Sequence, residues 1–509
     1  MTIPDTGFMF RSLEFMASFF VILVGLVAVT IVIVYILDIS QTKQAIRRNY
    51  PVIAHFRYFF EDLGKFFRQY FFAMDREEMP FNRADRSWVY RAAKDLDNTT
   101  AFGSTRTLSP PGTVLFVNCP FPTLGTDAAK TREVTIGPNC EKPYVTDALF
   151  NISGMSYGAL SKPAIQALSY GAAKSGFWMN TGEGGLSPYH LEGGADIVFQ
   201  IGTAKYGVRD EHGNLSDDRL RDVATHEQVK MFEIKLSQGA KPGKGGILPA
   251  AKVTKAIAMI RGIPVGEASI SPNRHPDISS IADLLNMIER IRKVTGKPVG
   301  FKAVIGAYGW LDELFQEINK RGQQAAPDFI TIDSADGGTG AAPTSLIDYM
   351  GLPIQESLSL VTDKLREHGL KDRVKVIASG KLITPAEAAW ALCVGADFVV
   401  SARGFLFALG CIQALQCNKN TCPTGITTHN PHLQKGLVPR VKAERVANYV
   451  KNMVYEIGVI SHSCGVREPR ELKRFHARIV TENGRSLSLE DMYSDHAMRA
   501  MLKRQSDHS

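Results

Sequence analysis

Three of the seven cysteines in this 509-residue chain fall close together. Cys411, Cys417 and Cys422 stand in the string CIQALQCNKNTCPTG with the spacing C-x5-C-x4-C. On the cytoplasmic side of a membrane, where the charge pattern below puts them, such thiols are a soft-metal site and not a disulfide framework. Thiolates this close together hold iron–sulfur clusters. Zinc is the rival, with His429 or His432 as a fourth ligand. Cys119, Cys140, Cys393 and Cys464 are scattered and read as structural.

Two lysines sit in otherwise apolar strings, Lys235 in EIKLSQ and Lys302 in VGFKAV. An ammonium inside a strand is costly unless it is paired or bound to something. The pair points to an anionic ligand, such as a reduced flavin ring or a carboxylate. The alternative is a lysine matched to a carboxylate at a strand end. Two later strings, Ser379-Gly380-Lys381 and Ser401-Ala402-Arg403-Gly404, resemble a phosphate site built from backbone N–H groups, with Lys381 and Arg403 adding charge. The preceding Asp336-Gly337-Gly338-Thr339-Gly340 strengthens that reading, because glycines allow close backbone approach. Plain turn chemistry would also place glycines there.

The elements that must position these residues read as alternating strands and helices. Candidate strands are Leu149 to Ser153, Phe177 to Asn180, Met231 to Leu236, Pro298 to Val304, Phe329 to Asp333, Val374 to Ala378 and Phe398 to Ser401. Helical segments such as Ile281 to Val294 and Pro385 to Leu392 fall between several of them. This alternation means a parallel sheet with crossover helices. Polar, glycine-rich strings follow most strand ends. An open doubly wound sheet would concentrate them at one switch point, whereas a (β/α)8 barrel spreads its site over all the loops at one face. The fold class expected is therefore α/β, a (β/α)8 TIM barrel. No GxGxxG follows the first strand, which argues against a dinucleotide fold.

Ahead of the barrel, Phe15 to Leu37 is 23 residues without a charge, enough to cross a bilayer. Lys43, Arg47 and Arg48 follow it and only Arg11 precedes it, so the positive-inside rule puts the body in the cytoplasm. Residues 50–75 carry many aromatics interleaved with Arg57, Lys65 and Arg68, an amphipathic helix that lies on the membrane or packs on the body. The expected organisation is a tail and transmembrane helix over 1–40, an aromatic neck and extension over 41–145, the barrel over 146–435 and a helical cap over 436–509. Lys plus Arg is 59 and Asp plus Glu is 51, giving +8. With no dense basic block, that mild excess does not make a nucleic-acid binder.

The segment from about Leu149 to Pro431 resembles the FMN-binding synthase domain of glutamate synthases. The strings that carry the likeness are MSYGALS (155–161), NTGEGG (180–185), QGAKPGKGG (238–246), ISP (270–272), DGGTGA (336–341) and CIQALQCNKNTCPTGITTHNP (411–431). The chain is similar, more closely, to membrane-anchored single-domain members of that family. The resemblance implies FMN as cofactor and a [3Fe–4S] cluster on Cys411, Cys417 and Cys422. Gly154, Met155 and Ser156 would line the flavin, and Gln238 and Lys302 would contact its ring system. Gly338, Gly340, Gly380, Ala402 and Arg403 would surround its phosphate. Glu183, Lys235 and Arg261 would line a 2-oxoglutarate pocket. The implied reaction reduces the imine of a 2-oxo acid and ammonia, with reduced FMN as hydride source. Ile247 stands where the family carries a glutamine, which puts the substrate in question. The resemblance covers neither a glutaminase nor an NADPH-binding domain. Ammonia and electrons would come from elsewhere, the donor being a ferredoxin, a flavoprotein or a membrane quinone.

Overall fold

The computed structural model describes residues 6–493. Two compact units divide the chain, one ending at Ala84 and the other starting at Asp85, inside the expected 41–145 neck. In the first, helix α1 (Thr6–Ser40) is the one helix among the described residues long and apolar enough to cross a membrane. Helix α2 (Ile53–Phe67) follows and runs on through a wider helical turn over Arg68–Phe72.

The second unit is built on a closed barrel of eight parallel strands. They are β1 (Phe150–Ile152), β2 (Met179–Asn180), β3 (Ile197–Ile201), β4 (Val229–Lys235), β5 (Val299–Val304), β6 (Phe329–Asp333), β7 (Lys375–Ser379) and β8 (Phe398–Ser401). Each strand pairs with its sequence neighbours, and β8 closes on β1 through Val399↔Phe150 and Ser401↔Ile152. Seven of these strands match the expected ones to within a few residues. The eighth, β3, lies in a stretch to which the sequence reading assigned no strand. Its connection from β2 holds only single helical turns, Gly182–Gly184 and Pro188–Leu191, so no helical pattern sets it apart.

Side chains alternate across a strand with a period of two. Met231, Glu233 and Lys235 of β4 therefore share the inward face, as do Phe329, Thr331 and Asp333 of β6. The inward residues are layered. An apolar layer at the strand starts joins Met231, Phe329, Ile377 and Phe398 to Trp178. Ile136 and Tyr144, from the antiparallel pair Val134–Ile136 and Tyr144–Thr146, complete that cluster and seal the barrel floor. Trp178 meets Phe398 edge-on at 4.9 Å. Each such fully buried side chain contributes roughly 1.5–3 kcal/mol. Above it comes a polar layer, where Glu233 accepts hydrogen bonds from Asn180 (2.8 Å), Gln200 (2.7 Å) and Thr331 (2.5 Å).

The segment after 436 is only partly helical. Helix Pro439–Ser463 packs on helix Lys162–Ser175, so closely that a Cβ on Gly171 would meet Val446 Cγ1 at 2.5 Å. Beyond it, Ala477–Val480 forms an antiparallel sheet with Ser486–Ser488 and with Val114–Phe116 from before the barrel.

Candidate active site

At the C-terminal strand ends the loops enclose a cleft of about 960 Å³, open mouth included. The loop after β1 brings Gly154, Met155 and Ser156, and the turn after β2 brings Glu183. Lys235 ends β4, and Gln238 and Lys241 follow it. Gly338 and Gly340 come from the loop after β6, and Ala402 and Arg403 from that after β8. Arg261 enters from the last turn of the inserted helix Lys255–Arg261.

Lys235 has both a carboxylate and a place in the cleft wall. Its Nζ lies 3.1 Å from Glu183 Oε1 and donates to Gln238 Oε1 at 2.9 Å. Gln238 in turn donates to Gly338 O at 2.9 Å, linking the β4 and β6 loops. Burial opposes the charge on Glu183, but Lys235, Lys241 and Arg261 outweigh it and hold the carboxyl below its ordinary range. Lys241 was not among the expected site residues. Burial first, then repulsion from Lys235, brings its pKa down to about 8, against the pull of Glu183. The signal for it was available, since it lies in the same QGAKPGKGG string.

Arg261 is buried, with Tyr206 5.1 Å beneath its guanidinium. It reaches the hydroxyls of Ser269 and Ser156 and the Tyr157 carbonyl at 3.3–3.4 Å. It has no ion pair within 4 Å, and its Nε has no hydrogen-bond partner. Three cations thus converge on one carboxylate in a cleft walled by low-dielectric protein. Such an imbalance favours an anionic ligand.

Two adjacent glycines clear space here, Gly246 for Glu183 and Gly245 for the backbone at Ser271. A Cβ on Gly246 would lie 2.3 Å from Glu183 Oε1, and one on Gly245 would lie 1.9 Å from Ser271 O. Gly245→Ala is therefore expected to force the 238–246 loop away from Ser271, costing about 1–3 kcal/mol as overpacking does. Thermal unfolding, with ligand binding measured on the same sample, checks this.

Lys302 and Gly380 lie outside the cleft wall. Lys302 is beneath it, paired at 3.1 Å with Asp333 and lining a small interior cavity with Glu233, Asn180 and Thr331. Burial works against its charge, yet Asp333, Glu233 and Glu183 hold its pKa above the ordinary lysine range. Both inner lysines are thus matched to carboxylates, the alternative that the sequence left open. Gly380 packs against Ser334, where a Cβ would meet Oγ at 2.0 Å. Arg403 lies along the cleft wall, donating to Thr339 O and, at 3.6 Å, to Cys417 Sγ, both of which also line it. Lys381 lies 4.0 Å from Asp336.

The three cysteines occupy one irregular segment. Cys417 reaches the cleft wall, Cys422 is buried, and the Cys411 carbonyl accepts from Tyr90 at 2.6 Å. Lys252 donates to the Cys417 and Ala159 carbonyls at 3.0 Å. The donors, soft sulfurs with a guanidinium and an ammonium beside them, suit a thiolate cluster. Their present arrangement does not close one: among the described residues no three His, Cys, Asp or Glu side chains converge as metal ligands. His429 is engaged elsewhere, its Nε2 lying 2.8 Å from Gly158 O.

A closed parallel barrel with a charged cleft at its C-terminal mouth defines a (β/α)8-barrel enzyme. A family model described as the conserved region in glutamate synthase matches residues 121–467. The chain belongs to the glutamate synthase family, and as a member of it is an oxidoreductase. It is similar to the glutamate synthase large subunit-like protein YerD of Bacillus subtilis, with 39% identity over 92% of this chain and 97% of that one. It is 37% identical to the archaeal glutamate synthase (NADPH) of Methanocaldococcus jannaschii over 68% of this chain and 65% of that one. With the archaeal-type glutamate synthase (NADPH) of Thermotoga maritima it shares 35% identity over 63% of this chain and 60% of that one. The chain thus spans under two thirds of these NADPH-named relatives. Among solved structures, a flavocytochrome b2 variant overlays 79% of this chain and 81% of that one at 16% identity and a TM-score of 0.46, too loosely to bear on ligand or reaction.

Proposed function

We propose that this chain is a membrane-tethered flavoenzyme that forms L-glutamate, or a similar amino acid, from 2-oxoglutarate and ammonia. The observation that carries this reading is the set Lys235, Lys241 and Arg261 around the single carboxylate of Glu183. A dicarboxylate would neutralise the excess charge and give Arg261 the partner that it lacks. The cleft has backbone-lined walls suited to FMN, with Gly340 opening onto free space and Gly154 against Gln200 and Asn180. When bound, FMN would supply the hydride. Gly154, Met155, Ser156 and Gln238 would hold its ring system, and Gly338, Gly340, Ala402 and Arg403 would frame its phosphate.

The chain's own residues then do the placing. Lys235 and Arg261 hold carboxylates, and Lys241 adds a third charge. Glu183, kept ionised by those cations, accepts hydrogen bonds from ammonia or the imine and orients them. Positioning of this kind is worth several orders of magnitude in rate. The decisive experiment is anaerobic: reduce the purified protein, add 2-oxoglutarate and ammonia, and watch the flavin spectrum. Reoxidation with formation of glutamate is expected; a flavin that stays reduced overturns the reading. Ile247, apolar in the cleft wall, favours the second reading, in which a related flavin enzyme or membrane-tethered electron-transfer subunit acts on another glutamate-like substrate.

Lys241 sets a pH limit. With its pKa near 8 the ammonium is charged below that pH and neutral above it. In the free enzyme, kcat/KM for an anionic oxo acid is therefore expected to fall as pH rises through about 8. Lys241→Met is expected to lower the plateau and flatten the fall, which a pH series of initial rates checks.

In the same reading Cys411, Cys417 and Cys422 hold a [3Fe–4S] cluster and a separate donor supplies electrons. Cys417→Ser is expected to remove the broad visible absorbance and the iron while leaving the flavin bands. A colourless, zinc-containing wild type would sink the assignment. Helix α1 supports a single-pass anchor, and Lys43, Arg47 and Arg48 after it support a cytoplasmic body.

A further inference from the structure

Helix α2 and the turn that continues it have two unlike faces. At about 100° per residue, Ile53, Phe56, Phe60, Phe67 and Phe71 fall on one stripe, which Phe59 and Phe66 widen. These side chains are exposed, Phe71 by 74%. Arg57, Glu61, Lys65 and Arg68 fall on the other side. A water-soluble surface rarely carries so many contiguous aromatics. The direction of α2 is also set. Asp38, buried in the last turn of α1, accepts from Val52 N at 2.9 Å and lies 3.0 Å from His55 Nε2. Those contacts clamp the start of α2 to the end of α1, where a membrane span would leave the bilayer. Over residues 45–72 five basic side chains stand against two acidic ones.

We infer that α2 lies along an anionic bilayer surface, its aromatic stripe at the acyl boundary and Arg57, Lys65 and Arg68 toward the headgroups. The inference rests on α1 crossing the membrane and adds a second, interfacial attachment. Three features name lipid as the occupant. The stripe adjoins the apolar α1, the Asp38 clamp turns the chain at its end, and the cations complement anionic headgroups. Aromatic side chains and basic residues on opposite faces are the signature of helices that lie in the interface.

The test uses the full chain in vesicles of phosphatidylcholine and phosphatidylglycerol. An environment-sensitive fluorescent amino acid is placed at position 29, 60 or 65, in separate preparations. Quenching by spin-labelled lipid is compared with quenching by aqueous iodide. The probe at 60 is expected to be quenched by lipid labelled near the headgroup and shielded from iodide, and the probe at 65 to behave oppositely. Two results overturn the inference: iodide reaching 60 as readily as 65, or a probe at 60 shielded from both quenchers. The second means that protein, either the barrel unit or another copy, covers the stripe. The probe at 29 keeps the two readings apart. If lipid quenches 29 but not 60, the anchor stands and the interfacial helix falls. If lipid does not reach 29, the anchor itself falls.

Discussion

Asp333→Ala is expected to destabilise the barrel by about 3–5 kcal/mol, the loss seen when one member of a buried ion pair is removed. Asp333 lies 3.1 Å from Lys302 Nζ, and the two side chains are 4% and 7% exposed, so water cannot take its place. The carboxylate also accepts from Gly239 N at 3.0 Å and Ser379 Oγ at 3.1 Å, so the change would orphan donors on the loop after β4 and at the end of β7. Removing Lys302 as well, in Asp333→Leu with Lys302→Met, is expected to cost less than the single change, because no bare charge remains. Urea denaturation of both variants checks the order. A single variant as stable as wild type would mean that the pair is matched by something else.

Lys235→Met is expected to act on substrate and spare the flavin. The lysine is 11% exposed, holds Glu183 at 3.1 Å and faces the cleft. Losing one partner of a desolvated charge pair at a binding surface costs about 2–5 kcal/mol, roughly a thirty-fold loss of affinity or more. Titration of the oxo acid against reduced protein, with flavin content measured alongside, reads both. Lost flavin would move Lys235 from the substrate pocket to the cofactor pocket. Unchanged affinity for every oxo acid tried would remove the basis of the proposed reaction.

Most of the barrel was legible because buried parallel strands print as short apolar runs between helical stretches. Strand β3 was not, although Ile197–Ile201 is wholly apolar but for Gln200. Strands are recognised by what interrupts them, and the link from β2 holds no helix of more than four residues. The C-terminal strands escaped for a related reason. Ala477–Val480 makes a short hairpin with Ser486–Ser488 but gains its other partner from Val114–Phe116, some 360 residues earlier in the chain, a pairing that no local pattern encodes. The cleft was legible through its glycine-rich strings. Which of their side chains face it was not: Lys241 lines it, while Gly380 packs against Ser334.

By itself the sequence determined chemical types and their order. It set the apolar α1, an aromatic α2 with charges on one side, the glycines that clear space at strand ends, and three thiols within twelve residues. These are local properties, written in composition and spacing. The tertiary structure alone decided which charges meet. Lys235 and Lys302 stand side by side in register on β4 and β5, yet one faces the cleft with Glu183 and the other is sealed beneath it with Asp333. The carboxylates that match them come from β6 and from the turn after β2, and only closure of the barrel brings those within 3.1 Å. Burial then makes each pairing obligatory, since an unmatched charge inside the barrel would cost more than the fold can spare.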